Sequence, residues 1–367
     1  MEGNHLFIQH GDNPESMTRR VLERSGVRKE FRPGMKVGLK PNLVMAKPAS
    51  SGATTHVSIV KALVETLQSW GITDITIMES AWVGDSTKKA YRVCGYEDLA
   101  RKTGVRLMDL KTAPTTHLKA GSLELEVCRP PLEVDYLINL PVMKGHCQTR
   151  MTCALKNMKG CIPDTEKSRF HTIGLHEPIA AVNTLLRQDL ILVDAMNGDL
   201  TYEGGGSPVP LNRLILGKDP VLVDAWAASF MGYELEEIQH LAMAAAMGVG
   251  SADLSKAEIL QEGKAVGKID RDAIRGDAAA FREYIDEKAA CSACYATLIH
   301  ALRQMEEKGR LHQLEKVLSV GQGFKGVQGK GIGIGSCTSG FRQQVPGCPP
   351  DPQKILSFLM EHTAPEK

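Results

Sequence analysis

Apolar residues recur along the chain in two alternating rhythms. Met35-Lys-Val-Gly-Leu-Lys-Pro-Asn-Leu-Val44 is a short apolar run broken by Pro41, and Val60, Leu63, Val64 and Leu67 follow at i, i+3, i+4 and i+7, the spacing of one buried helical face. Gly71 stands where a helix C′ residue belongs, and Asp74-Ile-Thr-Ile-Met78 is the next β-branched run. Strand, helix, glycine and strand predict a βαβ unit, hence a parallel pair. Further strands are predicted at 134–140, 190–195 and 211–216, and helices at 152–159, 177–187 and 221–231. The fold class expected is α/β, with a mostly parallel sheet and flanking helices over residues 1–250. The charged stretch 251–285 reads as a helical connector. Residues 286–367 restart the pattern as a smaller α/β module. It has a helix at 294–305 with Leu298, Leu302 and Met305 on one face, strands at 316–320 and 331–335, and a final helix at 352–360.

Composition narrows the class. At roughly 100–200 residues per domain, 367 residues suggest two or three domains. The 43% hydrophobic and 24% charged residues exclude disorder, collagen and coiled coil as the main architecture. Lys and Arg number 44 against 43 Asp and Glu, a net charge of +1, so no global field draws the protein to nucleic acid or anionic lipid. No run of 18 apolar residues occurs, and the start Met1-Glu-Gly-Asn-His5 lacks the basic-then-apolar order of a signal peptide. The expectation is a soluble, cytoplasmic protein that binds neither nucleic acid nor membrane.

The nine cysteines divide unevenly. Cys94, Cys128, Cys147, Cys153 and Cys161 are scattered singly, and their spacings match no ligand pattern, so they read as buried thiols. Cys291-Ser-Ala-Cys294, Cys337 and Cys348 cluster near the end, with 42 and 10 residues between the later ligands. Cys-x-x-Cys sets two thiolates on one turn, as a metal centre needs, and four thiolates suit either tetrahedral zinc or an iron–sulfur cluster. Zinc ribbons bring a second Cys-x-x-Cys, absent here. The glycines at 321, 323, 326, 329, 331, 333 and 335 favour the cluster, because backbone must approach a bulky cubane closely.

Gly335-Ser-Cys337 and Val345-Pro-Gly-Cys-Pro-Pro350-Asp-Pro resemble the cluster-binding module of nickel–iron hydrogenase small subunits and the related quinone-reductase subunit. The resemblance covers about the last 80 residues and implies a [4Fe–4S] cluster on Cys291, Cys294, Cys337 and Cys348, although the Cys337–Cys348 spacing is shorter than in those subunits. Zinc is the alternative metal.

In a parallel sheet ligands bind beyond the carboxyl ends of strands. The residues found there are Lys40-Pro-Asn42, Glu79-Ser80, Lys144-Gly-His146 and Asp194-Ala-Met-Asn197. Strand ends also turn polar simply on reaching solvent, yet four in one sheet point to a common cleft. Lys156 and Lys159, at i and i+3, present both ammonium groups on one side of a short helix. With Lys144, Arg150, His146 and His171 they make a basic pocket in a near-neutral protein, suited to an anionic substrate or phosphate. His146, His171, Lys144 and Asp194 are the candidate catalytic residues. Lys40, Asn42, His56, Glu79, Lys156, Asn157 and Lys159 are the candidate substrate contacts. No Walker loop occurs, and a flavin is left open.

Lys40-Pro-Asn, Lys144-Gly-His, Ala154-Leu-Lys-Asn-Met-Lys-Gly160 and Asp219-Pro-Val-Leu-Val-Asp224 make the chain similar, over about residues 35–250, to the domain of unknown function 362 family. That domain often accompanies iron–sulfur modules, more commonly a ferredoxin with tightly spaced cysteines, which this sequence lacks. The resemblance brings no reaction with it.

Three functions follow as expectations. The first is an oxidoreductase passing electrons between the cluster and a small anionic substrate or cofactor in the Lys/His cleft. The second is a non-redox lyase, isomerase or racemase with a structural cluster. The third is an electron carrier or assembly factor that docks on a redox partner protein.

Overall fold

The computed structural model describes residues 1–264, 278–315 and 317–362. Twelve strands precede the carboxyl-terminal module: β1 (His5–His10), β2 (Lys36–Pro41), β3 (Asp74–Glu79), β4 (Arg106–Asp109), β5 (Thr115–Ala120), β6 (Leu123–Cys128), β7 (Tyr136–Leu140), β8 (Lys144–His146), β9 (Arg150–Thr152), β10 (Leu190–Gly198), β11 (Val209–Gly217) and β12 (Glu258–Glu262). Eight of them form one sheet in the order β12-β1-β11-β10-β7-β2-β3-β4. Strands β10, β7, β2, β3 and β4 pair in parallel, and β11 runs antiparallel to both of its neighbours. The fold is therefore α/β with a mostly parallel sheet.

The expected βαβ unit lies between β2 and β3. Its helix spans Val57–Ser69 and buries Ile59, Val60, Leu63, Val64 and Leu67. Each such side chain contributes roughly 1.5–3 kcal/mol when fully buried. Gly71 ends the turn at φ +89°, a left-handed conformation that a side chain would strain. From β2 the chain moves outward through β3 to β4, then returns to place β7 on the other side of β2. The topological switch point, where open α/β sheets bind ligands, therefore lies between the carboxyl ends of β2 and β7.

Two expected elements differ. The helix expected at 152–159 is two short turns, Ala154–Asn157 and a 3-10 turn at Met158–Cys161, entered from β9. The connector expected to be helical has 3-10 turns at Leu254–Lys256 and Ala278–Tyr284 but also holds β12, which pairs in parallel with β1 from His5↔Glu258 to Gln9↔Glu262. Backbone pairing at a sheet edge tolerates a charged, half-exposed sequence, which explains why composition misled there. The part of the connector at 265–277 and the strand start at Lys316 lie outside the described residues.

The carboxyl-terminal module is a second, wholly parallel sheet of β13 (Ile285–Glu287), β14 (Leu318–Val320), β15 (Gly329–Ile334) and β16 (Phe341–Val345), in that order. Helices Ser292–Glu307 and Pro352–His362 cover it. Their core joins Leu298, Leu302 and Met305 to Val320, Ile334 and Leu359, and Cys147 of the larger unit packs against it. Among the described residues no helix is long and apolar enough to cross a membrane.

Candidate functional site

The carboxyl ends of β2 and β3 and the loop after β7 enclose a cleft of about 710 Å³, counting its open mouth. Of the residues expected there, Lys40, Asn42, Glu79, Lys144, His146, Lys156, Asn157, Lys159 and His171 line it. Two do not. His56 and Asp194 pair with each other away from the cleft, His56 Nδ1 lying 2.8 Å from Asp194 Oδ2, which also accepts from the His56 backbone N–H at 2.7 Å. Asp194 was placed at a strand end, but β10 continues to Gly198. That leaves Asp194 in mid-strand and 0% exposed. Burial alone would lower the His56 pKa, but the Asp194 charge and hydrogen bond raise it above its usual value.

The cations of the cleft differ in what they touch. Lys40 Nζ sits 2.8 Å from Glu79 Oε1, both side chains buried, and donates to Pro41 O at 2.9 Å. Glu79 also accepts from the backbone N–H groups of Leu43 and Ser80 at 2.8 and 2.7 Å, so this pair is satisfied internally. A Cβ on Gly160 would collide with Glu79 Oε1 and would lie 2.7 Å from Lys40 Cε, so only glycine lets that backbone pass over the pair. Lys144 Nζ donates to Asn42 Oδ1 at 3.2 Å, Ala53 O, and Glu203 O at 3.0 Å. Burial, aided by the charge of Lys156, pushes its pKa down to about 7. Lys159 Nζ lies 2.8 Å from His171 Nε2, and burial with the charge of neighbouring lysines drives both groups well below their usual values. Lys156 makes no hydrogen bond or ion pair among the described residues, and burial lowers it to about 8 against the opposing charge of Glu203.

The segment carrying Lys156 is held from beneath. The Asp224 carboxylate accepts from the backbone N–H groups of Ala154 and Leu155 at 2.6 and 3.0 Å, as a cap from another helix, rather than serving its own helix dipole. Asn157 donates to Asn139 Oδ1 at 2.7 Å and to Lys40 O at 3.1 Å, and Asn139 donates to Gln188 Oε1 at 2.6 Å.

Thr152, Lys167 and Glu203 are among the cleft residues that escaped the sequence reading. Lys167 donates to Ala81 O at 2.7 Å and Asp164 Oδ1 at 3.1 Å, as well as to Ser80. Its helix, Asp164–Ile173, carries no pattern that marks it. Glu203 precedes Gly204-Gly-Gly206, and that triplet was the available signal. A Cβ on Gly205, which has φ +66°, would collide with Ser51 O, so the loop is pressed against its neighbour. Burial raises the Glu203 pKa.

Glu203 also creates a candidate metal site with His146 and Cys147, whose ligating atoms all lie within 4.8 Å of one another. The hydrogen bonding opposes that use. His146 Nδ1 accepts from the backbone N–H groups of Gln148 and Thr149 at 3.1 and 3.2 Å. A neutral imidazole so placed carries its proton on Nε2, whereas a metal-bound histidine donates from its other nitrogen. Cys147, read as a buried thiol, donates to Glu203 Oε1 at 3.2 Å.

The four late cysteines follow three carboxyl strand ends of one parallel sheet: Cys291 and Cys294 after β13, Cys337 after β15 and Cys348 after β16. Parallel pairing therefore brings them to one edge. A Cβ on Gly335 would lie 3.5 Å from Cys294 Sγ and from Gly347 O. Burial raises the Cys294 thiol above its usual range, and the charges of Cys291, Cys348 and Cys337 push it further. Cys291 and Ser292 also line the cleft. Ser292 Oγ donates to Gln148 Oε1 at 2.7 Å, and Gln148 donates to Ala290 O at 3.1 Å, so the loop that bears Cys291 is tied to the cleft wall.

The chain is similar to several known proteins. A thylakoid-associated protein of Synechocystis sp. is 25% identical over 195 residues, which are 51% of this chain and 59% of that protein. The chain thus spans about three-fifths of that relative's length. Among solved structures, the lactate racemase apoprotein of Thermoanaerobacterium thermosaccharolyticum is 14% identical with a TM-score of 0.40, covering 63% of this chain and 57% of that one. A protein from Thermotoga maritima is 14% identical with a TM-score of 0.41, covering 65% and 60%. Nothing about activity follows from likenesses so distant. Residues 37–229, more than half of the chain, match the family described as domain of unknown function (DUF362), and the protein belongs to that family.

Proposed function

We propose that the protein is an iron–sulfur oxidoreductase in which Cys291, Cys294, Cys337 and Cys348 hold a [4Fe–4S] cluster beside a cleft for a small anionic substrate or cofactor. The observation that carries this reading is that Cys291 lines the same cleft as Lys156, Lys159 and His171. The hydrogenase-like motifs around Cys337 and Cys348 support it, and so does the placing of all four cysteines beyond the carboxyl ends of one parallel sheet.

The cluster, when bound, supplies single electrons. The chain's own residues do the rest. Lys156 meets the negative charge of the ligand, and His146 keeps its proton on Nε2 because two backbone donors occupy Nδ1. The Lys159–His171 pair, whose pKa values burial and the neighbouring lysines lower, takes up or returns a proton as charge changes. Lys40, Glu79, Asn42 and Lys144 fix the shape of the floor. A flavin is one anionic cofactor the cleft could take, a reducing cytoplasm suits four unpaired thiols, and a redox partner protein completes the electron path.

A second reading, a non-redox acid–base enzyme, is favoured by the burial of two cleft lysines, which pushes Lys144 down to about 7 and Lys156 to about 8. Anaerobic purification with iron, acid-labile sulfide and zinc analysis separates the two. About four irons and four sulfides per chain, with an EPR signal on dithionite reduction, support the oxidoreductase. One zinc without sulfide removes it and leaves the acid–base reading.

A further inference from the structure

Counting lysines overstates what the cleft offers a ligand. Lys40 is spent on Glu79, Lys144 on three carbonyl or amide oxygens, Lys159 on His171 and Lys167 on Ser80, Ala81 and Asp164. Among the described residues three of the cleft's donors stand out because no hydrogen bond satisfies them. One is the Lys156 ammonium. The others are His146 Nε2 and Thr152 Oγ1, both buried with no hydrogen bond, on residues only 3% and 4% exposed. Buried donors left unmade are costly, and native sites hold such groups where a ligand completes them. His146 Nε2 is a donor, since Nδ1 accepts two backbone N–H bonds.

We infer that Lys156, His146 and Thr152 form a preorganised seat for one oxyanion group, a carboxylate or a phosphate, of the ligand. The inference rests on the cleft being the substrate site of the proposed oxidoreductase. The seat is rigid because Asp224 pins the Ala154–Leu155 turn and Asn157 is tied to Asn139, so little ordering opposes binding. Glu203 Oε1 lies 3.3 Å from His146 Nε2, so this carboxyl, whose pKa burial raises, borders the seat.

The test is calorimetric titration of the full chain, as purified, with inorganic phosphate and with oxalate, metal content being measured on the same sample. The tighter of the two probes identifies the oxyanion. Lys156→Gln should weaken it about tenfold to 100-fold, the worth of a charge-assisted hydrogen bond, and Lys156→Arg should recover much of the loss. Thr152→Val, nearly isosteric, should weaken it about three- to tenfold. Arg150→Gln, at an exposed position outside the cleft, should bind as the wild type does. Lys156→Gln with wild-type affinity, or a wild type that binds neither probe at millimolar concentration, overturns the seat. Should Lys156→Gln fail to fold, Thr152→Val decides alone. Samples without iron that keep this pattern of affinities remove the oxidoreductase reading and leave the seat standing.

Discussion

The floor of the cleft and the wall that carries Lys156 hold the same kind of side chain in opposite conditions. On the floor, Lys40 and Glu79 neutralise each other at 2.8 Å and every oxygen of Glu79 is engaged. On the wall, Lys156, His146 Nε2 and Thr152 Oγ1 make no hydrogen bond among the described residues, and the nearest opposing charge is Glu203. Both regions are basic in sequence, yet one is scaffold and the other is binding capacity. The charge of a buried group says little until its partners are counted, because a buried pair balances its own desolvation and an unpaired ion does not.

The sharpest way to break this contrast is on the floor. Glu79→Leu leaves Lys40 buried and unpaired, and it should destabilise the fold by about 3–5 kcal/mol, read from urea unfolding. The double variant Lys40→Met with Glu79→Leu should restore most of that loss. A single variant as stable as the wild type would place Lys40 among the free cations. Smaller and on the wall, affinity for phosphate or oxalate should fall as pH rises through the Lys156 value of about 8, because only the ammonium attracts the anion. The decline should be about tenfold per pH unit above it, and a flat profile would remove Lys156 from the seat. Smallest is a control remote from both regions. The folded-state pKa of His56 is raised by Asp194, so its ion pair stabilises fully below the unfolded value and is lost as pH rises through the folded one. His56→Gln should therefore cost about 1 kcal/mol or less at low pH, with the gap closing towards alkaline pH. Thermal unfolding measured across that range checks it.

Much of this arrangement was legible in the sequence. Lys-Pro-Asn and Glu-Ser follow strands that end beside the switch point, Lys-Gly-His forms the short strand just after β7, and six residues of these motifs (Lys40, Asn42, Glu79, Ser80, Lys144 and His146) line one cleft. The late cysteines were equally visible, since each follows a short strand of a parallel sheet. What failed depended on where strands stop and what folds over them. Asp194 looked terminal because its apolar run ends there, yet backbone pairing with β11 carries β10 on to Gly198. Glu203 reaches the cleft on an irregular loop and Thr152 on the three-residue strand β9 of a short hairpin, neither of which has a periodicity to read. Their roles came from orphaned hydrogen-bonding atoms, which no linear pattern encodes.

The central claim is that the four-cysteine centre and the anion cleft work as one unit, through the wall that Cys291 shares with Lys156 and Lys159. The most direct test is the EPR spectrum of the dithionite-reduced protein with and without saturating phosphate or oxalate. The account predicts a cubane signal that shifts when the anion binds and that no longer shifts in Lys156→Gln. A signal indifferent to the anion in the wild type, or no iron signal at all, would contradict it.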